Sequence, residues 1–166
     1  MEALACILNR RSVHRLTEPG PTQAQLETLE ACAQSAPDHG RLRPWRMIFI
    51  SGEDRTRLGT ALAAAHRDTP EPPPAAVLAR TAAKPLQAPL LITMIFRPVL
   101  HSRIPEWEQL ASASCAAQNI CLAAHALELG AIWRTGPLLQ HPRLRSELDV
   151  APGEQLLGWI YLGTPC

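Results

Sequence analysis

Three short stretches carry side chains whose chemistry goes beyond what a fold requires. Arg10-Arg11-Ser12 sets two guanidinium groups beside a hydroxyl. Arginine offers forked, charge-assisted donors to phosphate oxygens, so the run suits a phosphate. A basic helix end that complements the helix dipole has the same composition. Asp38-His39 lies in a loop between prolines. Such a pair can orient a ribityl or phosphate group; equally, Asp38 can turn or cap the chain. Trp133-Arg134-Thr135-Gly136 puts an aromatic and a polar corner where a strand should end. That corner suits a flat ligand, and it also fits a core Trp beside a structural Arg.

Other chemistries lose their usual support. No two glycines are spaced G-x-G, and no G-x-x-x-x-G-K-[ST] loop occurs, so neither dinucleotide fingerprint nor P-loop is present. G-x-S-x-G and H-E-x-x-H are also absent. The 6 histidines are scattered. The 5 cysteines include no C-x-x-C pair, which argues against a zinc site or a disulfide scaffold and for reduced, buried thiols. Lys+Arg of 16 against Asp+Glu of 15 leaves a net charge of +1, far from the basic footprint of a nucleic-acid binder. Lys84 is the single lysine. The longest uncharged run, Gln109 to Leu127, carries Ser112, Ser114, Gln118, Asn119 and His125 and is too polar for a membrane span. The apolar N-terminal stretch, Ala3 to Leu8, is too short for a signal peptide. The expectation is a soluble cytoplasmic protein, with residues 1–166 as one domain.

The elements that must position these stretches follow from periodicity and punctuation. Leu4, Ile7 and Leu8 predict an opening helix that ends near Arg10. Thr22 to Gln25 reads as a capping box, and Pro37 stops the helix that follows. Met47 to Ile50 predicts a short strand, 54–67 a helix, 69–74 a proline-rich connection and 75–84 another helix. Leu90 to Phe96 lacks alternation, as in a strand buried on both faces. Pro105 fits the first position of a long helix that runs to about Leu129 and stops at Gly130 as its C′ residue. Ala131 to Thr135 predicts a strand, 141–148 a short helix and Leu156 to Leu162 the last strand. After its first turn the long helix is apolar all round, which implies burial on every side. It is either the central helix of one core or part of a dimer interface.

Taken in order, Arg10-Arg11-Ser12, the Pro37-Asp38-His39 loop with Pro44-Trp45, the long small-residue helix, the run Gly130 to Gly136, and Leu162-Gly163-Thr164-Pro165 resemble the FMN-dependent nitroreductase family, in its short-chain subgroup. The resemblance spans residues 1 to 165 and implies an α+β three-layer sandwich, with a mainly antiparallel sheet flanked by helices. It further implies a homodimer with FMN at the interface and NADH or NADPH as cosubstrate. Arg10, Arg11 and Ser12 match the run that binds the FMN phosphate and ribityl chain. His39 matches a flavin-contacting position, and Ser35 occupies another, where relatives carry Arg. Trp133, Arg134 and Thr135 match the strand end beside the flavin. The stretch Ala123, Ala124, His125, Ala126, Leu127 and Glu128 matches one associated with the nicotinamide nucleotide.

The implied activity is ping-pong hydride transfer to a nitroaromatic or quinone-like small molecule, with no side chain required as acid or base. Two departures qualify it. Arg41 and Arg43 replace the Asn and Gln common before Pro-Trp, and the sequence ends at Cys166, where relatives continue with a tail that crosses to the partner and adds a basic phosphate contact. The expectation is therefore a flavin site without that late contact. Two other readings are a non-enzymatic FMN-binding or sensing protein on the same fold, and a flavin-free helical dimer module.

Overall fold

The computed structural model describes residues 2–166. α1 (Ala3–Asn9) leads through an extended stretch to β1 (Leu16–Thr17), and α2 (Gln23–Gln34) follows. Thr22 caps α2 with the reciprocal Gln25 bonds of a capping box, as its spacing predicts. A single 3₁₀ turn at His39–Arg41 precedes β2 (Trp45–Ser51), α3 (Asp54–Arg67) and α4 (Ala75–Ala83). β3 (Leu90–Phe96), α5 (Glu106–Ala126), β4 (Gly130–Arg134), α6 (Pro142–Glu147) and β5 (Gln155–Pro165) complete the chain.

The sheet is antiparallel at every pairing among the described residues. β3 is flanked by β2 and β5, and the long β5 also pairs with β4 and, near its end, with β1. β3 is buried throughout, as its unbroken apolar run predicts. The two faces of the sheet feed separate cores. Ile92, Met94 and Ile160 pack with α2 and α5, whereas Leu91, Ile95 and Tyr161 pack with α3 and α6. The layers are therefore helix, sheet, helix, in agreement with the α+β sandwich expected.

Several boundaries differ from the sequence expectation. Pro105 is the N-cap of α5 rather than its first helical residue. Gly130 is not the C′ residue: Glu128 takes the left-handed conformation at φ 60. Leu129 N–H donates to the Ala124 carbonyl and Glu128 N–H to that of His125, the paired bonds of a Schellman cap. Gly130 instead opens β4, where a Cβ would run into the Leu16 side chain. β1 went unpredicted because two residues, Leu16 and Thr17, show no periodicity. They become a strand only by pairing with Pro165 and Thr164.

α5 is not buried all round within one chain. Ala113, Ala116, Ala117, Ile120, Cys121 and Ala124 face the core, and their small size lets the helix lie close to α2 and the sheet. The opposite stripe, through Trp107, Ala111, Cys115 and Gln118, is exposed. The thiols likewise divide, with Cys6 and Cys121 buried and Cys115 and Cys166 exposed.

A partly buried ion pair fastens β2 to the turn before β5. Arg46 donates to both Glu154 carboxylate oxygens at 2.9 and 2.7 Å, and Ala151 N–H adds a third bond at 3.0 Å. The hydrogen bond from Arg46 holds the Glu154 carboxyl below the usual range, against the opposing effect of burial. A carboxylate held low contributes stability that is present above its unfolded pKa and is lost as pH falls through its folded one. Glu154→Gln, which keeps an acceptor but loses the charge, should cost about 1 kcal/mol at neutral pH, the difference between charged and neutral hydrogen bonds. Its melting temperature should then fall less steeply than the parent's below about pH 4, where glutamates begin to protonate. Parallel acid limbs in the two melting profiles would contradict this.

Candidate flavin site

The phosphate-type run is placed by the end of α1 and the start of β4. Arg10 caps α1, and its N–H donates to the Cys6 carbonyl. Val13 N–H then donates to the Ala131 carbonyl at 3.0 Å, which fastens the residues after Ser12 alongside β4. The Cys6 thiol donates to the Leu122 carbonyl at 3.3 Å and ties α1 to α5. Arg10 is half-buried and lies near enough to Cys121 to counter burial, which pushes that thiol up to about 11. The Arg10 guanidinium and the Ser12 hydroxyl make no hydrogen bond to protein among the described residues. Arg11 behaves differently. Its guanidinium folds back onto the carbonyls of Leu8 and Arg10, at 2.7 and 2.9 Å, and caps the helix.

β4 carries Trp133 and Arg134 on opposite faces, since successive strand side chains alternate. Trp133 packs on the α5 side. Its indole N–H donates to the Leu157 carbonyl at 3.0 Å. That carbonyl belongs to the extra residue of a β-bulge, since Met94 pairs with Gly158 and Ile95 with Leu156. The bulge also resets the alternation of β5, so that Trp159 and Tyr161 face α3. Arg134 turns to that far side and stacks over Tyr161, 4.7 Å from the ring centre. Thr135 is exposed, and a Cβ at Gly136 would meet open space. An extended chain carries Thr135 roughly 13 Å beyond Ala131, a span suited to a phosphate-terminated polyol chain with a flat ring at its end.

Ser35 and His39 lie elsewhere. Ser35 caps the end of α2, where Asn119 of α5 donates to the Cys32 carbonyl at 3.0 Å and to Ser35 Oγ at 3.4 Å. His39 Nδ1 pairs with Glu108 Oε2 at 2.9 Å in the first turn of α5. At about 1.5 Å rise per residue, Glu108 is roughly 20 Å along the helix from Cys121, near which Arg10 lies. Within one chain His39 thus lies far along α5 from Arg10, whereas Ser35 meets α5 at Asn119, two residues from Cys121. The sequence motifs pointed to both, but Glu108 and Asn119, which orient them, carry no signal of their own and look like ordinary helix residues.

The stretch from Ala123 to Glu128 closes α5. Ala124 is fully buried in the core, and His125 Nε2 is buried without a partner among the described residues. The exposed residues are Ala126 and Glu128. A helix C-terminus and a carboxylate both repel phosphate, so this stretch is electrostatically unsuited to the phosphates of a nucleotide.

An antiparallel sheet between two helical layers is an architecture that serves many activities, and sequence comparison places the chain within one family. The model of the Nitroreductase family matches residues 7–164, and the chain belongs to that family. It is 38% identical over 165 residues to the Escherichia coli (strain K12) protein named "Putative NAD(P)H nitroreductase YdjA", covering 99% of this chain and 89% of the relative. A nitroreductase-like family protein from Bacillus cereus shares the fold at TM-score 0.85 and 23% identity, over 100% of this chain and 87% of that one. A nitroreductase with bound FMN from Bacteroides fragilis NCTC 9343 shares it at TM-score 0.79 and 20% identity, over 100% and 89%. No helix among the described residues is long and apolar enough to cross a membrane.

Proposed function

We propose that the chain is an FMN-dependent, NAD(P)H-using oxidoreductase that reduces nitroaromatic or quinone-like acceptors by a ping-pong scheme, as a cytoplasmic homodimer. The observation that carries this reading is the pair of free donors, the Arg10 guanidinium and Ser12 hydroxyl, held beside the edge strand in a member of the Nitroreductase family. That donor set fits a phosphate monoester, which takes up charge-assisted bonds from a planar guanidinium.

When bound, FMN supplies the hydride chemistry, and the protein supplies placement and electrostatics. Arg10 and Ser12 hold the phosphate, while Arg11 stiffens the run by capping α1. Trp133 stays anchored to the bulge carbonyl, and the backbone from Thr135 to Gly136 stands open to a flat ring. His39 meets α5 roughly 20 Å along the helix from the Arg10 end, too far to reach the same ligand in one chain, so it belongs to the half-site that a second copy completes. The exposed apolar faces favour this arrangement. Leu4, Ile7 and Leu8 of α1 are 73%, 57% and 68% exposed, and Trp107 of α5 is 69% exposed. Side chains of this kind gain roughly 1.5–3 kcal/mol each on full burial.

The flavin assignment is tested by the absorption spectrum of the purified protein and chromatography of its heat-released flavin. FMN is expected, together with steady NAD(P)H oxidation once an acceptor is added. FAD as the major species would overturn the assignment, and FMN bound without turnover would favour a binding protein. Light scattering should give a dimer at micromolar concentration, whereas a monomer that retains stoichiometric FMN would rule out an interface site.

A further inference from the structure

The loop that carries His39 also carries two arginines that the flavin reading leaves unused. Arg41 and Arg43 are exposed, and neither guanidinium makes a hydrogen bond or an ion pair among the described residues. Both line one hollow of about 320 Å³, with Gln34, Ala36 and Asp38. Small-molecule sites commonly measure about 300–1,000 Å³. Gly40, Arg41 and Arg43 stand at φ 75, 53 and 47, in the left-handed region that arginine seldom enters. Non-glycine residues held that way cluster at ligand sites. The loop is firmly braced. A Cβ at Gly40 would come within 2.7 Å of the buried Ile104 side chain. Arg97 N–H donates to the Pro44 carbonyl at 2.9 Å, and Trp45 N–H to the Arg43 carbonyl at 2.7 Å. Asp38 is spent on the same brace, since its Oδ2 accepts from the Arg43 N–H at 2.6 Å. The end of α2 also borders the hollow, but Asn119 and the Ser35 hydroxyl cover its Cys32 carbonyl, and Ala36 N–H covers its Ala33 carbonyl. Two unengaged guanidinium groups therefore set the sign of the hollow.

We propose that Arg41 and Arg43 hold the 2′-phosphate of NADPH, so that the protein prefers NADPH to NADH. The inference rests on the proposed NAD(P)H chemistry and names which of the two coenzymes serves it. NADPH differs from NADH by one phosphate monoester on the adenosine ribose, and arginine is the side chain that accommodates this group in dinucleotide-binding folds. Its planar fork matches phosphate oxygens in pairs. The FMN phosphate has its own proposed donors in Arg10 and Ser12, and the end of α5 is unsuited to phosphate. The hollow lies two and four residues beyond His39, beside the proposed flavin half-site.

Calorimetric titration of the flavin-loaded protein with adenosine 2′,5′-bisphosphate and with adenosine 5′-monophosphate reads the site without turnover. The bisphosphate should bind at least about tenfold tighter, as one charge-assisted bond implies. Steady-state oxidation with a nitroaromatic acceptor should favour NADPH over NADH in kcat/KM by a similar factor. Arg41→Asn combined with Arg43→Gln removes both charges, and asparagine tolerates the left-handed backbone. This double variant should bring both ratios close to one, with the change falling on the KM for NADPH and with FMN affinity at the parent's value. Equal binding of the two nucleotides by the parent, ratios that survive the double substitution, or a loss that falls on FMN affinity instead would each overturn the proposal. A protein that oxidises neither coenzyme would sink the activity reading, and the nucleotide titration would still decide the hollow.

Discussion

Arg10→Ala should weaken FMN binding roughly ten- to a hundredfold and leave the flavin-free protein almost as stable as the parent. The loss follows from one charge-assisted hydrogen bond, worth about 1.5–3 kcal/mol, at about 1.4 kcal/mol per tenfold. The stability should hold because Arg10 caps α1 through its backbone N–H, which alanine retains, and its guanidinium makes no hydrogen bond among the described residues. Surface changes of this kind alter stability by within about 0.5 kcal/mol. Arg11→Ala is the informative partner. It removes the cap on the Leu8 and Arg10 carbonyls, so it should act on the order of the run and less on affinity. FMN titrations and thermal melts of the flavin-free forms separate the two. An Arg10→Ala protein that purifies with full FMN and parental affinity would remove the phosphate from this helix end.

Gly158→Ala should have the largest effect on the fold. Gly158 sits at φ +118 in the bulge of β5, a conformation that L side chains rarely adopt. An added Cβ would meet the Arg134 carbonyl oxygen and come within 3.0 Å of Trp133 Nε1. The backbone strain costs about 1–3 kcal/mol. Crowding a packed site adds about 1–3 kcal/mol. Against a typical total of about 5–15 kcal/mol, that endangers folding at ordinary temperature. The same change should disturb both faces. Trp133 would lose its acceptor at Leu157, and Trp159 and Tyr161 depend on the bulge to face α3. Denaturant melts read the stability, and near-ultraviolet circular dichroism reads the tryptophan environment. A midpoint within experimental error of the parent's would show that the bulge relaxes freely.

These two positions also divide what could be read along the chain from what could not. Local physics wrote most of the elements. The Thr22 capping box, the unbroken apolar run of β3 and the proline that ends α2 each act over a few residues, so spacing alone exposes them. The resemblance carried by the ordered motifs likewise named the family and the layered fold. Non-local physics hid the rest. β1 exists only because Pro165 and Thr164 lie opposite Leu16 and Thr17. The end of α5 was misassigned to Gly130, since a glycine is the usual left-handed residue there, yet Glu128 takes that conformation and Gly130 is needed for close approach to Leu16.

The site divides in the same way. Arg10, Ser12, His39 and Trp133 were legible as residue types in sequence, because arginine, hydroxyl, imidazole and indole carry their chemistry wherever they stand. Their grouping was not. Adjacent positions 133 and 134 read as one ligand surface, but strand alternation sends them to opposite sides of a sheet. Arg11 reads as a twin of Arg10 and instead closes a helix. Lys84, His66 and His141 are spread over three segments, with no spacing to link them, and meet only where α3 packs against β5 and the segment after β4. The sequence alone determined most of the elements, the family and the chemical kinds available, since those depend on neighbours a few residues apart. Tertiary structure decided which side chains share a cavity and which half-sites stay apart, since that depends on sheet alternation, a single bulge and the length of α5.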